Sequence, residues 1–166
     1  MFQVIATRVG GSASSPAFTV LKGRKRVDVL RLVSKDLGEA GNKINVVVLR
    51  GASENTFRLE ISSGSTKEEF DNLSMVKGND LYAEKIITEN SRTVSAQSLI
   101  DEPTVENIPV PSEGRLSGGK FAPPGKRDYE SALEALELET TIDTVYVCDS
   151  WDPEIHALVD AHCQNM

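Results

Sequence analysis

A chain of 166 residues, 39% hydrophobic and 26% charged, is long enough for one ordinary domain or two small ones and too apolar for a disordered segment. Its longest uncharged apolar run, residues 44–49, is interrupted by Asn45 and falls far short of a membrane span; the first residues lack the basic, apolar and cleavage features of a signal peptide. The net charge of −7 is unevenly spread: residues 1–50 hold nine Lys/Arg against three Asp/Glu, an excess of +6 that leaves −13 for residues 51–166. An acidic chain is a poor nucleic-acid binder over its whole surface, whereas this asymmetry suits contact between the basic face of one subunit and the acidic face of another.

In chain order, residues 2–9 and 17–21 read as strands, and Lys22-Gly23-Arg24-Lys25-Arg26 as a charged turn. Residues 27–33 are apolar on both faces over much of their length, which predicts a central strand. Residues 44–50 form another. Residues 56–62 alternate, with Phe57, Leu59 and Ile61 on one face and Arg58 and Glu60 on the other. Aromatics are sparse, at 5%, so the core must rest on Val, Leu and Ile. Short strands separated by Gly, Ser and Asn predict a β-sandwich. Asn79 or Asp80 is placed to cap a short helix over 81–89 that turns Tyr82, Ile86, Ala83 and Ile87 inward.

Residues 101–127, with five Pro and four Gly, read as a long connector and the place for a domain boundary. Beyond it the period changes. Asp128 is placed to cap a helix carrying Tyr129, Ala132, Leu133 and Leu136 at i, i+3, i+4, i+7. Residues 142–148 read as a strand with Val145 and Val147 on one face, and Asp152-Pro153 opens a last helix with the stripe Ile155, Leu158, Val159 and Cys163. Helix, strand, helix is the grammar of a parallel α/β layer, and one strand between two helices cannot bury its own faces.

Candidate chemistry is thin. Gly114 to Lys120 fits G-x-x-x-x-G-K, the core of a phosphate loop, but Phe121 follows where Ser or Thr should hold magnesium, and Pro123 and Pro124 block the required helix. A flexible Gly-rich linker explains these residues better. His156 and His162 are six apart and point to different helix faces, so they cannot share a metal by the i, i+4 rule. Cys148 and Cys163, in apolar contexts, read as small buried hydrophobes, with a disulfide or metal pair as the alternative. No G-x-S-x-G elbow is present, which argues against a hydrolase. Asp149-Ser150, at the carboxyl end of the last strand, is the best place for a ligand site if there is one. Glu68, Glu69 and Asp71 lie close to one another, as do Glu130, Glu134, Glu137 and Glu139, and on a helix the second group reads as a solvated face. No residue is assigned as catalytic, cofactor-binding or metal-ligating.

Several segments resemble one family, the contractile phage tail sheath proteins. The run Asp128-Tyr129 through Glu137, then Ile142, Asp143 and Val145, then Asp152-Pro153 and His162-Cys163, is similar to the start of that family's main region. Leu116-Ser117-Gly118-Gly119 resembles its Leu-x-Gly-Gly element, although Lys120 to Arg127 departs from its compact acidic loop. Gly38-Glu39-Ala40-Gly41-Asn42 resembles a Gly-x-x-Gly-Asn turn, Phe70-Asp71-Asn72-Leu73-Ser74 a further family segment, and residues 4–9 the strand before an inserted sandwich.

The resemblance implies an α+β fold: an antiparallel β-sandwich, residues 10–112, inserted in a partial subtilisin-like α/β domain made of residues 1–9 and 113–166. It implies a non-enzymatic structural subunit, or a truncated piece of one, in a helical array around an inner tube, as in phage tails, tailocins and related contractile injection systems. The partners it implies are neighbouring sheath subunits and the inner tail tube protein, with no cofactor, nucleic acid or membrane, and the location is the virion tail, assembled in the host bacterial cytoplasm. The competing readings are a receptor- or glycan-binding sandwich, disfavoured by a single tryptophan, Trp151, that lies outside it, and a hydrolase fragment.

Overall fold

The computed structural model describes residues 9–11, 14–137, 144–148 and 150–165. It is an α+β protein with seven strands and three helices among these residues. The chain divides into two compact units, one of residues Ser15–Phe121 and one of Met1–Ser14 with Ala122–Met166.

The larger unit holds two antiparallel sheets over one apolar core. Strands β1 (Pro16–Lys22), β2 (Asp28–Leu37), β3 (Asn45–Arg50), β4 (Phe57–Ser63) and β5 (Thr66–Leu73) precede helix α1 (Ala83–Asn90), β6 (Val94–Ser98) and β7 (Ser112–Arg115). One sheet has the order β1-β2-β6 and the other β5-β4-β3-β7. The central place expected for the second strand is observed: Val29, Leu30 and Leu32 are buried, and Leu30 and Leu32 lie between Leu21 on β1 and Ala96 on β6 as cross-strand neighbours. The alternation at 57–61 also survives, with Ile61 opposite Val46 and Leu59 opposite Val48, all buried. Each such side chain stabilises the fold by ~1.5–3 kcal/mol when fully buried.

The charged segment 22–26 is a hairpin turn, closed by Gly23 N–H to the Val27 carbonyl at 2.8 Å, with Arg26 at φ 59°. Helix α1 starts one or two residues later than expected. Neither Asn79 nor Asp80 caps it from the Ncap position, which Tyr82 occupies; Asn79 Oδ1 instead accepts from the Leu81 amide at 2.9 Å, fixing the turn that leads in. On its far side, Thr88 Oγ1 donates to the Ala96 carbonyl and accepts from the Ala96 amide, both at 3.1 Å, and so satisfies the outer edge of β6.

The proline- and glycine-rich stretch is where structure and sequence reading part. The two units do meet within it, at Phe121, but residues 103–121 are pinned to the sheets. Strand β7 pairs with β3. The same segment also crosses the outer edge of β1, through single bridges of Pro109 to Gly23, Ser117 to Phe18 and Lys120 to Ser15. It therefore joins the open edges of the two sheets. The larger unit thus runs past residue 112, and starts at Ser15.

In the smaller unit, Ser14 Oγ donates to the Ala122 carbonyl at 3.2 Å and accepts from its amide at 2.9 Å. Helices α2 (Lys126–Leu136) and α3 (Pro153–Asn165) follow, with Leu133 and Ile155 as their buried side chains. Asp128 is the third helical residue rather than the cap: Gly125 holds the Ncap position, and Asp128 Oδ2 accepts from the Gly125 amide at 2.8 Å, closing the same turn from inside. Asp152 does cap α3, with Oδ1 accepting from the Glu154 amide at 2.9 Å. Of the strand expected over 142–148, residues 142 and 143 lie outside the described residues, and Thr144 to Cys148 make no ladder. The strand expected over 2–9 also lies outside, except for Val9.

Candidate functional site

The region after the last expected strand does form a concavity. A cavity of about 610 Å³ is lined by Val145, Val147, Cys148, Ser150, Trp151 and the α3 residues His156, Val159, Asp160 and Cys163. Asp149 lies outside the described residues. The ring of His156 is turned to the backbone: its Nε2 lies 2.9 Å from the Ser150 carbonyl, an acceptor, so Nε2 carries the proton. Ser150 Oγ accepts from the Asp152 amide at 3.5 Å. Serine and histidine are thus brought together without the hydroxyl-to-imidazole hydrogen bond that activates a nucleophile.

Cys148 and Cys163 are free thiols, and both are exposed, which corrects the expectation that they are buried. Packing explains it: the apolar stripe of α3 is covered only at Ile155, while Leu158 and Val159 are half-buried. His162, six residues from His156, sits apart from it with Nδ1 3.5 Å from Glu137 of the segment after α2. No group of three or more His, Cys, Asp or Glu side chains among the described residues is placed to hold a metal ion.

Gly114 to Lys120 is ordered rather than a flexible linker. A phosphate loop offers free backbone amides at a helix N-terminus. Here Leu116 N–H is taken by the Ile44 carbonyl, Ser117 by Phe18 and Lys120 by Ser15, while Gly119 N–H donates to Asn42 Oδ1 at 2.9 Å. The next helix begins only at Lys126.

The acidic residues 68–71 prove structural. Glu68 accepts from Ser91 Oγ at 2.5 Å, the Arg92 amide at 3.0 Å and Thr93 Oγ1 at 3.3 Å, tying β5 to the turn before β6. Glu69 and Asp71 join a surface network around Arg58, at 2.6 and 3.3 Å, with Lys67 2.7 Å from Glu69. The Lys67 hydrogen bond, with the nearby Arg58 charge, holds the Glu69 carboxyl below its usual range. In the 22–26 turn, Lys25 pairs with Glu106 at 3.0 Å and Arg24 donates to the Glu54 carbonyl at 3.2 Å.

A different surface escaped sequence reading: the outer face of the three-stranded sheet. Register places Phe18 beside Val33 and Ser95, and Val20 beside Arg31 and Gln97, all on the face away from the core. The Arg31 guanidinium lies over the Phe18 ring, 4.3 Å from its centroid. Arg31 Nε is shielded from solvent and has no hydrogen-bond partner among the described residues. The alternation of Phe18 and Val20 against Ala17 and Leu21 hinted at an apolar outer face, but the Phe18–Arg31 pairing depends on strand register.

No protein-family model and no curated protein matches the sequence. The fold does match solved structures. The sheath tail protein of Listeria innocua aligns with a TM-score of 0.59 at 18% identity, over 95% of this chain and 31% of its own. The sheath tail protein of Desulfitobacterium hafniense aligns with a TM-score of 0.58, again at 18% identity, over 95% of this chain and 32% of its own. The chain therefore spans about a third of the length of these sheath tail proteins and shares the fold of that part.

Proposed function

We propose that the chain is a structural subunit, or a piece of one, of a contractile tail sheath, packed in a helical array around an inner tube. The observation that carries this reading is the breadth of the fold match: 95% of this chain aligns with each of two sheath tail proteins. The sequence resemblances fall in agreement with it, since the Gly41-Asn42 turn and the Gly118-Gly119 element meet in space. In this reading residues 15–121 are the inserted sandwich and residues 122–166 belong to a subtilisin-like α/β domain, supporting assembly and doing no catalysis. The partners are neighbouring sheath subunits and the tube, and the location is the tail of a virion or a related contractile injection particle.

The test is immunogold electron microscopy of contractile particles from the producing cells, with antibody raised against residues 15–121. Label repeating along the tail wall is expected. Label confined to the tail tip would favour a receptor-binding sandwich instead, and tails without label would overturn the sheath reading.

A further inference from the structure

We propose that the outer face of the β1-β2-β6 sheet, centred on Phe18 and Arg31, is a contact surface between copies of the chain, and that its occupant is the acidic face of helix α2 from a neighbouring copy. The inference rests on, and deepens, the sheath-subunit reading.

The surface is built to receive a carboxylate beside apolar groups. Phe18, 38% exposed, and the half-buried Val20 and Val33 supply a small apolar floor. Arg31 stands among them, steered by the Phe18 ring, with no ion pair and no acceptor for its buried Nε among the described residues. A carboxylate from another copy that reaches the terminal guanidinium nitrogens of Arg31 gains paired, charge-assisted hydrogen bonds there. The sheet's outer face thus lacks one specific kind of group.

Charge complementarity selects the occupant. Residues 15–50, which contain β1 and β2, hold eight Lys/Arg against three Asp/Glu, an excess of +5. Residues 122–166 hold ten Asp/Glu against two Lys/Arg, which is −8. Within α2, Glu130 and Glu134 are four residues apart on one helix face and make no ion pair among the described residues, whereas Glu137 is engaged by His162. A second copy therefore offers, on a regular element, two neighbouring carboxylates to the single guanidinium of Arg31. Because the two surfaces differ, the contact is heterologous, and repetition of a heterologous contact that does not close generates a helical polymer. That outcome is what a sheath requires.

The experiment is sedimentation velocity of the full chain at low and high salt, for the native protein, Arg31→Glu, the pair Glu130→Lys with Glu134→Lys, and all three changes in one chain. The native chain is expected to self-associate at low salt and to dissociate as salt rises. Either charge-reversed variant alone should weaken association by about tenfold or more, and the triple variant should recover it. Arg31→Gln, with circular dichroism on every variant, separates loss of contact from loss of fold. A native chain that stays monomeric at low salt, or association indifferent to Arg31→Glu, overturns the proposal. The sheath reading is judged separately by label on tails: tails that incorporate Arg31→Glu normally sink this contact alone.

Discussion

Asn42 and Gly119, seventy-seven positions apart, exchange a reciprocal pair of hydrogen bonds: Asn42 Nδ2 donates to the Gly119 carbonyl and Gly119 N–H donates to Asn42 Oδ1, both at 2.9 Å. The carboxamide thus acts as a substitute strand, satisfying one residue of backbone. Gly119 is needed there because a Cβ would stand 2.4 Å from the Gly38 carbonyl oxygen. This pair fastens the segment that joins the two sheet edges.

Asn42→Ala leaves a half-buried amide and carbonyl unpaired and is expected to cost about 1–3 kcal/mol. Asn42→Asp should cost more, because a carboxylate faces the Gly119 carbonyl where a donor stood. Urea denaturation of the two variants checks both the size and the order. A midpoint unchanged in Asn42→Ala would show that water replaces the side chain without penalty.

Thr88 carries the same logic at β6. Thr88→Val keeps the shape but removes both partners of Ala96, whose side chain is only 8% exposed. The expected loss is about 1–3 kcal/mol, with Thr88→Ser close to the native protein. Faster amide exchange at Ala96 in the valine variant is the local readout; equal exchange in all three proteins would mean the Thr88 contact does not protect the edge.

The elements that sequence reading found are those whose burial is written in their own residues. Strands β1 to β4 carry their buried apolar residues in plain view: Phe57, Leu59 and Ile61 alternate, and β2 buries Val29 and Leu30 together. The rest owe their existence to neighbours. Strand β5 reads Thr-Lys-Glu-Glu-Phe-Asp-Asn-Leu, with charge on both faces, because it is an edge strand whose inward Glu68 meets hydroxyls and an amide rather than a core. Strand β7 is wholly exposed and contains Gly114, so only its hydrogen bonds to β3 make it a strand. The candidate contact surface at Phe18 and Arg31 needed a register that no single-strand pattern encodes. The Gly-Asn turn and the Leu-Ser-Gly-Gly element were legible as two separate motifs; their meeting was not.

Tyr82 makes the fold sensitive to alkali. Its hydroxyl donates to Glu84 Oε2 at 2.7 Å. Burial, followed by this hydrogen bond, pushes the phenol from 10.0 up to about 12. An unfolded chain releases this proton near pH 10 while the native chain keeps it, so the contribution is full below pH 10 and drains away as pH rises through about 12. The melting temperature of the native protein should fall more steeply across that window than that of Tyr82→Phe. Parallel curves would remove Tyr82 from the account.

The last prediction sets two truncations against each other. Ending the chain at Phe121 removes α2 and α3 and leaves both sheets whole. Ending it at residue 112 takes away most of β7, the buried Leu116, the Ser117–Phe18 and Lys120–Ser15 bridges along β1 and the Asn42–Gly119 pair. Burial of Leu116 alone is worth ~1.5–3 kcal/mol, and the lost hydrogen bonds leave β3 and β1 with bare edges. Against a total stability on the order of 5–15 kcal/mol, the shorter chain should be molten or aggregated, while the longer one should unfold cooperatively near the native midpoint. Hydrogen exchange of the full chain should agree. Among the described residues, the helices of the smaller unit bury Leu133 and Ile155 alone, and Tyr146 and Trp151 between them are 84% and 94% exposed. Amides of α2 and α3 should therefore exchange faster than those of β2 to β4, by subglobal opening that spares the sandwich. Equal protection of the two units would rule out that subglobal opening, and a chain ending at residue 112 that folds as well as one ending at Phe121 would show that residues 113–121 are not what joins the two sheets.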